Sequence, residues 1–585
     1  MSGPFARAAA LDRMAAEEFD VLVIGGGITG AGVALDAASR GLRTALVEHG
    51  DFASGTSSKS SKLVHGGLRY LQQREFRLVR ENLTERRRLL ANAPHLVSPM
   101  AFVVPLLGAG GLADEALARG YSTALWAYDL SGGLRIGHRH RRLSAPEVLT
   151  ALPALRPDRV AGGFEYHDAF ADDARLTLAV VRSAVLDHGA VAANYAVVAG
   201  LLTRPGTGGA VAGAVLDDGR EVRAGVVVNA TGVWADRVDA LRDPGRRPTL
   251  RPAKGIHITV ERSRLPVTTA GVLPVPGDSR SIFVVPWGDR VYLGTTDTEH
   301  TGPLDDPQCT PDDVAYLLGA ANAALGEPLR SADVVGSWAG LRPLLDEVRS
   351  KRTSDLSRRH RVTADANVVT ITGGKLTTYR KMAADAVDRA VEILGRGAGG
   401  SRTATLRLHG AAGGGGVATT GLALGRRGAS DGSVGPSSAD RLLRRRRTAG
   451  EGDPPGDYED AVAAHLASRY GSEAVAVAAL VEGDPDLGRP LVAGLPYLRA
   501  EAVHAARAEM AHTLDDVLSR RTRALLLARD ASIAAAADVA RLLAPELGWS
   551  PTRAGEEAAS YVAAATKERE AAGLAPTTAR PPAPQ

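Results

Sequence analysis

Between residues 20 and about 395, short runs of β-branched and aliphatic residues alternate with longer stretches of helical spacing. The runs VLVIG, TALVE, GVVVNATG, HITV, SIFVVPW, RVYLGTTD and NVVTITGG predict strands. VLVIG is continuously apolar, as in a parallel strand covered on both faces. This predicts an α/β or α+β body. From 457 to 567 the pattern turns wholly helical. DYEDAVAAHLASRYGSEAVAVAALV and AEMAHTLDDVLSRRTRALLLARD space their apolar positions for helices, predicting a compact all-helical C-terminal domain. Between the two bodies, Gly, Ser and Arg dominate 396–456, which is expected to be a linker. Residues 1–18 form an N-terminal arm, and the Pro/Ala-rich tail, 568–585, is expected to be disordered.

A chain of 585 residues exceeds one ordinary core, so two or three domains are expected. Seventy Lys and Arg nearly balance sixty-six Asp and Glu, leaving a formal charge of +4. That is not the signature of a nucleic-acid binder, and it suits an anionic substrate or loose contact with acidic lipid. The single cysteine, Cys309, excludes an internal disulfide and a cysteine metal cage, and fits a reducing compartment. The first twenty residues lack the apolar centre of a signal peptide, and no run of 18 uncharged apolar residues occurs. The expected location is cytoplasmic, with surface attachment to a membrane allowed.

The strand VLVIG runs into Gly25, Gly27 and Gly30, spaced G-x-G-x-x-G. The first glycine allows the tight turn, the second lets a pyrophosphate approach the backbone, and the third lets the helix close on the strand. The helix TGAGVALDAASRG offers its N-terminal N–H groups and dipole to phosphate. The next strand, RTALVE, ends in Glu48, where a carboxylate accepts ribose hydroxyls and repels a 2′-phosphate. This order points to an unphosphorylated adenine dinucleotide and leaves FAD and NAD undivided. The later returns favour FAD. Flavoproteins of the glutathione-reductase type bring the chain back twice. Here NATG, residues 229–232, is expected against the dinucleotide, and GGKLTTY against the isoalloxazine ring, with N–H groups around 374–377 favouring negative charge on a reduced ring.

TSSKSSKLVHGGLRYLQQREFRLVRENLTERRRLLANAPHL, GFEYHDAFADDARL, NATGVWAD, KGIHITV, VVPWGDRVYLGTTDTEH, WAGLRPLL and GGKLTTYRKMA together resemble the FAD-dependent sn-glycerol-3-phosphate dehydrogenases over about residues 18–390. The resemblance implies a glutathione-reductase-type FAD-binding Rossmann domain interleaved over 19–395 with an antiparallel-sheet substrate domain. It implies oxidation of glycerol 3-phosphate to dihydroxyacetone phosphate, with electrons passing through FAD to membrane quinone. It further implies a peripheral membrane protein, with a homodimer as a candidate assembly. Carried over by position, FAD contacts fall on Gly25, Gly27, Gly30, Glu48, Thr56, Ser60, Ser61, Lys62, Leu63 and Gly67, then on Gly232, Lys375, Leu376 and Thr377. The substrate pocket draws on Arg69, Tyr70, His257, Arg342, Arg358 and Lys375, with Arg359 the alternative to Arg358.

Oxidising a secondary alcohol phosphate requires a base for the hydroxyl proton and cations for the dianion. Arginine suits the phosphate because its fork donates two parallel hydrogen bonds. Arg342 and Arg358 are expected there, and Arg69 near the hydroxyl end. His65 and His257 compete as the base, and the strand position after KG favours His257. Lys375 is placed to stabilise the reduced flavin or an alkoxide. An oxidase passing electrons to oxygen is the alternative on the same substrate. Asp168, Asp172 and Asp173 suggest helix capping and a bond to Arg175 rather than a metal, and His138 and His140 a solvated basic loop.

Overall fold

The computed structural model describes residues 5–68, 70, 75–108, 115–204, 206, 209–278, 280–345, 359–411 and 455–577. Six of the seven residues of Glu18–Ile24 are buried, as a strand covered on both faces requires. It pairs in parallel with Thr44–Val47 on one side and Glu221–Asn229 on the other. The sheet runs Arg361–Asp365, Val368–Thr372, Glu221–Asn229, Glu18–Ile24, Thr44–Val47, Val191–Ala193, with Val198–Thr203 and Val211–Leu216 paired off its side. Two strands distant in sequence thus return beside the glycine turn. Val227 to Asn229 lie next to Val368 to Thr370 in parallel register. The helix Ile28–Ser39 packs so closely on Tyr379–Leu394 that a Cβ on Gly32 would lie 2.8 Å from the Tyr379 ring.

A second sheet of ten strands carries the other wall of the site. Toward one end of it lies Ala253–Glu261, flanked by Arg290–Gly294 and Val334–Arg342, both antiparallel to it. Behind it Ile256, Ile258, Val260, Leu293 and Val334 build a core with Leu317 from the helix Pro311–Asn322.

The C-terminal body is helical: Pro455–Tyr470, Ala474–Gly483, Arg499–Ala508, Arg529–Leu547 and Pro551–Ala571. Val517, Leu518, Val539, Leu543 and Tyr561 form its centre. Among the described residues, no helix is long and apolar enough to cross a membrane.

Two expectations about connecting segments are corrected. Residues 396–411 are packed onto the first sheet's body, while 412–454 lie outside the described residues. Leu408 is buried in the first core, the Thr403 hydroxyl reaches the buried Asp36 at 3.0 Å, and Asn92 donates to the Thr403 carbonyl at 3.1 Å. The Gly/Ser-rich composition conceals these anchors, because a few side chains, among them Ser401, Thr403, Leu408 and His409, carry them. The tail is likewise ordered as far as 577. The helix Pro551–Ala571 runs past 568, Ala572 and Leu574 are buried in the second sheet's core, and Thr577 donates its N–H to Asp530 at 2.7 Å. Residues 578–585 lie outside the described residues.

Candidate functional site

At the glycine turn, Gly25 adopts φ +110°, a conformation that only glycine reaches without strain. A Cβ at Gly30 would sit 1.8 Å from the Gly25 carbonyl oxygen, so glycine there lets the helix close on the turn. Gly27 is the N-cap of Ile28–Ser39 and gives it no side-chain cap. The first-turn N–H groups of such a helix have no intrahelical partner. Ser57 Oγ accepts from the Ile28 N–H at 2.9 Å, an anchor that sequence reasoning missed. Glu48 is buried at the end of the second strand. Its Oε2 accepts from Gly26 N at 2.6 Å and its Oε1 from Gly50 N at 2.9 Å, so the carboxylate first pins the turn itself. A carboxylate has about four lone-pair sites, which leaves capacity for a ribose hydroxyl. Gly232 follows Asn229 at φ +62° and opens a short 3₁₀ turn. The glycine cradle, the helix N-terminus without a side chain at its N-cap, and the acid fit a pyrophosphate and an unphosphorylated ribose.

The second end is a cavity of about 620 Å³ between the second sheet and the segments that follow strands of the first. Thr56, Ser60, Ser61, Leu63, His65 and Gly67 enter it from the segment after the second strand. Lys375, Leu376 and Thr377 enter from the last return, and His257 and Arg342 from the second sheet. Gly374 needs φ +80°, and Leu376–Thr378 forms a 3₁₀ turn leading into the helix Tyr379–Leu394. Thr377 Oγ1 accepts from His65 N at 3.2 Å, joining the two ring-side segments. The Thr56 hydroxyl donates to the Leu341 carbonyl at 2.6 Å, tying that wall to the second sheet.

Three glycines on adjacent antiparallel strands make room for the polar groups. His257 lies opposite Gly294, where a Cβ would come within 2.0 Å of the imidazole. A Cβ on Gly255 would lie 2.4 Å from Arg342 Nη2, and one on Gly340 would lie 2.4 Å from the Lys59 carbonyl. The Arg342 guanidinium donates to Asp297 at 3.1 Å, to Thr295 Oγ1 at 3.0 Å and to the Thr296 carbonyl at 3.1 Å. His257 is 2% exposed, with Nε2 2.8 Å from Ser61 Oγ and Nδ1 without a hydrogen-bond partner. Burial, then the Lys62 and Arg342 charges, hold it well below the usual histidine range, so it is neutral at neutral pH. Tyr70 lies on the cavity wall with Lys375 Nζ 3.7 Å above its ring centroid.

Other expected residues sit elsewhere. The Lys62 ammonium is turned away from the cavity and wholly buried, donating to Ser58 O at 3.1 Å and to Asp173 at 3.1 and 3.2 Å. Burial and the nearby Arg523 charge pull it down to about 8. Arg69 and Arg358 lie outside the described residues. Arg359 lines the cavity and pairs with Glu75 at 2.6 Å. Lys59 and Arg280 also line the cavity and were missed. Lys59 stands within the motif SSKSSK, whereas nothing in the local pattern marks Arg280. Asp172 caps the helix Asp173–Arg182 by accepting from Arg175 N, and Asp168 accepts from Tyr128 Oη at 2.6 Å. His140 is buried against Asp129 at 2.7 Å, not solvated, because Trp126 packs on it. Among the described residues, no cluster of three or more His, Cys, Asp or Glu is placed to hold a metal.

Comparisons with known proteins agree with this geometry. Residues 20–379 match the family model of the FAD-dependent oxidoreductases, and residues 401–554 match the C-terminal domain of alpha-glycerophosphate oxidase. Glycerol-3-phosphate dehydrogenase 2 of Mycobacterium tuberculosis (strain ATCC 25618 / H37Rv) is 40% identical over 573 residues, covering 96% of this chain and 90% of that protein. The mitochondrial glycerol-3-phosphate dehydrogenase of Rattus norvegicus is 38% identical over 564 residues, covering 92% and 72%. The crystal structure of glycerol-3-phosphate dehydrogenase from Bacillus halodurans complexed with FAD superposes with a TM-score of 0.73 at 30% identity, covering 96% of this chain and 97% of that one. A glycine turn with its acid, a cavity lined by the later return of the chain, and relatives matched nearly end to end lead to one conclusion: the chain belongs to the FAD-dependent glycerol-3-phosphate dehydrogenase family, and its cofactor is FAD.

Proposed function

We propose that this protein oxidises sn-glycerol 3-phosphate to dihydroxyacetone phosphate and passes the electrons to quinone. The observation that carries the reading is the presence, on one cavity wall, of the buried His257 and the Arg342 guanidinium. When bound, FAD supplies the acceptor for the C2 hydride, at its N5. Arg342, oriented by Asp297 and Thr295, holds the substrate phosphate, with Lys375 on the same cavity. His257 takes the hydroxyl proton, and Ser61 Oγ orients its Nε2. His65 is the alternative base, on the ring-side segment that meets Thr377. The N-terminal end of Tyr379–Leu394 favours negative charge at the ring.

The acceptor reading carries with it peripheral attachment to the inner face of the cell membrane. A second reading, glycerol-3-phosphate oxidase with oxygen as acceptor, is favoured by one observation, the match of residues 401–554 to a domain named for such an oxidase.

Anaerobic addition of glycerol 3-phosphate to the purified flavoprotein tests the substrate: the oxidised-flavin absorbance is lost. Persistence of the colour at millimolar glycerol 3-phosphate, with bleaching by glycine or sarcosine, overturns the reading. Reoxidation faster by a quinone analogue than by oxygen supports the dehydrogenase, and the reverse order supports the oxidase.

A further inference from the structure

We propose that Arg523, a residue of the C-terminal helical domain, is a positioning residue of the active site: it holds the cavity-lining segment 58–62 in place against His257 from across the domain boundary.

Arg523 is 1% exposed and adopts φ +68°, an unfavourable backbone for a side chain of this size. Its Nη1 donates to the Ser519 carbonyl at 3.0 Å within its own domain. Its Nη2 reaches into the other body, donating to the Ser58 carbonyl at 2.6 Å and to Asp173 Oδ1 at 2.9 Å. Asp173 in turn accepts from Ser60 N at 3.0 Å and from Ser60 Oγ at 2.7 Å. Lys62 Nζ completes the cluster on the same Ser58 carbonyl and the same carboxylate.

Ser60 and Lys62 therefore both bind the buried Asp173 carboxylate, and the Ser58 carbonyl accepts from the two cations, Lys62 and Arg523, that share it. Ser61 between them faces the opposite way, into the cavity, with Oγ at 2.8 Å from His257 Nε2 and its carbonyl accepting from Tyr292 Oη at 2.7 Å. The alternation means that whatever fixes the even positions also fixes where Ser61 stands. Docking of the C-terminal domain has other supports. Arg521 binds Asp51 at 2.6 and 2.9 Å, and Arg175 binds Glu509 at 2.7 and 2.8 Å. The bonds of Arg523 go instead to the segment that forms the cavity wall. Its charge has a second effect. Asp173 faces two cations, so it does not neutralise Lys62 fully. Lys62 lies 4.7 Å above the Trp338 ring, whose other neighbour is His257, stacked with centroids 4.7 Å apart.

The test compares Arg523→Met with Arg182→Met in the full-length holoenzyme. Arg182 ties the same two bodies together through Glu473, and its bonds do not reach segment 58–62. The readouts are melting temperature, flavin content, visible circular dichroism of the bound flavin, and kcat and KM for glycerol 3-phosphate. For Arg523→Met the expectation is a fall in kcat of about tenfold and a changed flavin dichroism, because small displacements of positioning groups cost turnover steeply. Arg182→Met is expected to lower the melting temperature while leaving kcat and the dichroism unchanged. Equal loss of turnover in both variants, or wild-type turnover and dichroism in Arg523→Met, overturns the proposal. Should Arg523→Met fail to fold, Arg523→Lys decides. It keeps the charge and loses the fork, so a kcat lowered about threefold with flavin retained supports the proposal, and wild-type behaviour overturns it. The kinetic assay rests on the proposed substrate. If wild-type protein does not oxidise glycerol 3-phosphate, that reading fails, while the dichroism comparison still decides the role of Arg523.

Discussion

The imidazole of His257 lies flat against the indole of Trp338, with ring centroids 4.7 Å apart and planes 10° from parallel. The two residues face each other in the antiparallel register of Ala253–Glu261 and Val334–Arg342. Trp338 also donates its indole N–H to the Ser60 carbonyl at 3.2 Å, so the plate that holds the histidine is tied to the opposite cavity wall. Replacing His257 by Gln keeps the volume and removes the base. The expected outcome is a loss of kcat of about 10²-fold or more with flavin content unchanged, measured by steady-state turnover and the flavin-to-protein absorbance ratio.

The pH dependence follows from the same environment. Burial and the charges of Lys62 and Arg342 disfavour the imidazolium, so the acid limb of kcat/KM is expected well below the ordinary histidine range. Lys62→Met removes one cation, raises the folded-state pKa of His257 and moves that limb to higher pH. For stability the sign is the same as for any group whose folded pKa is depressed. The unfolded chain binds the proton first, so the contribution of His257 is present above about pH 6.5 and is lost as pH falls below it. A pH–rate profile of wild type and Lys62→Met checks the first expectation, and urea melts across the acid range check the second.

Gly255 and Gly294 separate two functions sterically. Gly255→Ala places a Cβ 2.4 Å from Arg342 Nη2, and the expected effect is a KM for glycerol 3-phosphate raised about tenfold with a smaller change in kcat. Gly294→Ala places a Cβ 2.0 Å from the His257 ring, and the expected effect is a kcat lowered about tenfold or more. Reversal of this pattern in steady-state kinetics refutes the assignment of the two groups.

Gly30→Ala directs a Cβ into the Gly25 carbonyl at 1.8 Å, so the turn must open. The expected outcome is protein purified with little flavin and regaining colour weakly on titration with FAD, followed by fluorescence quenching of the added flavin.

The ordered tail predicts a stability effect far from the chemistry. Leu574 is 5% exposed within the second sheet's core, and Leu574→Ala is expected to cost about 2–3 kcal/mol, read from denaturant midpoints.

The strands VLVIG, TALVE, GVVVNATG and NVVTITGG were legible because continuous apolar runs between turns have few other readings. His65, His257, Arg342 and Lys375, singled out from motifs far apart in the chain, line one cavity. Trp338 was not identified as the support of His257, since the two lie about eighty positions apart and meet only through strand register. Residues 396–411 and 568–577 depart from expectation because composition reports average polarity, whereas a few side chains, Thr403 and Leu408 in one segment and Leu574 and Thr577 in the other, hold them.

By itself the sequence determined the glycine turn with its acid, the two later returns that made the dinucleotide a flavin, and the division into a mixed body and a helical one. These are local in the chain: period, turn chemistry and short motifs carry them. Tertiary structure alone decided that the Lys62 ammonium turns from the cavity to Asp173, that His257 is neutral, and that Arg523 reaches the Ser58 carbonyl. Those depend on burial and on charges brought together from hundreds of residues apart. Spacing along a chain carries no information about such distances until the packing exists.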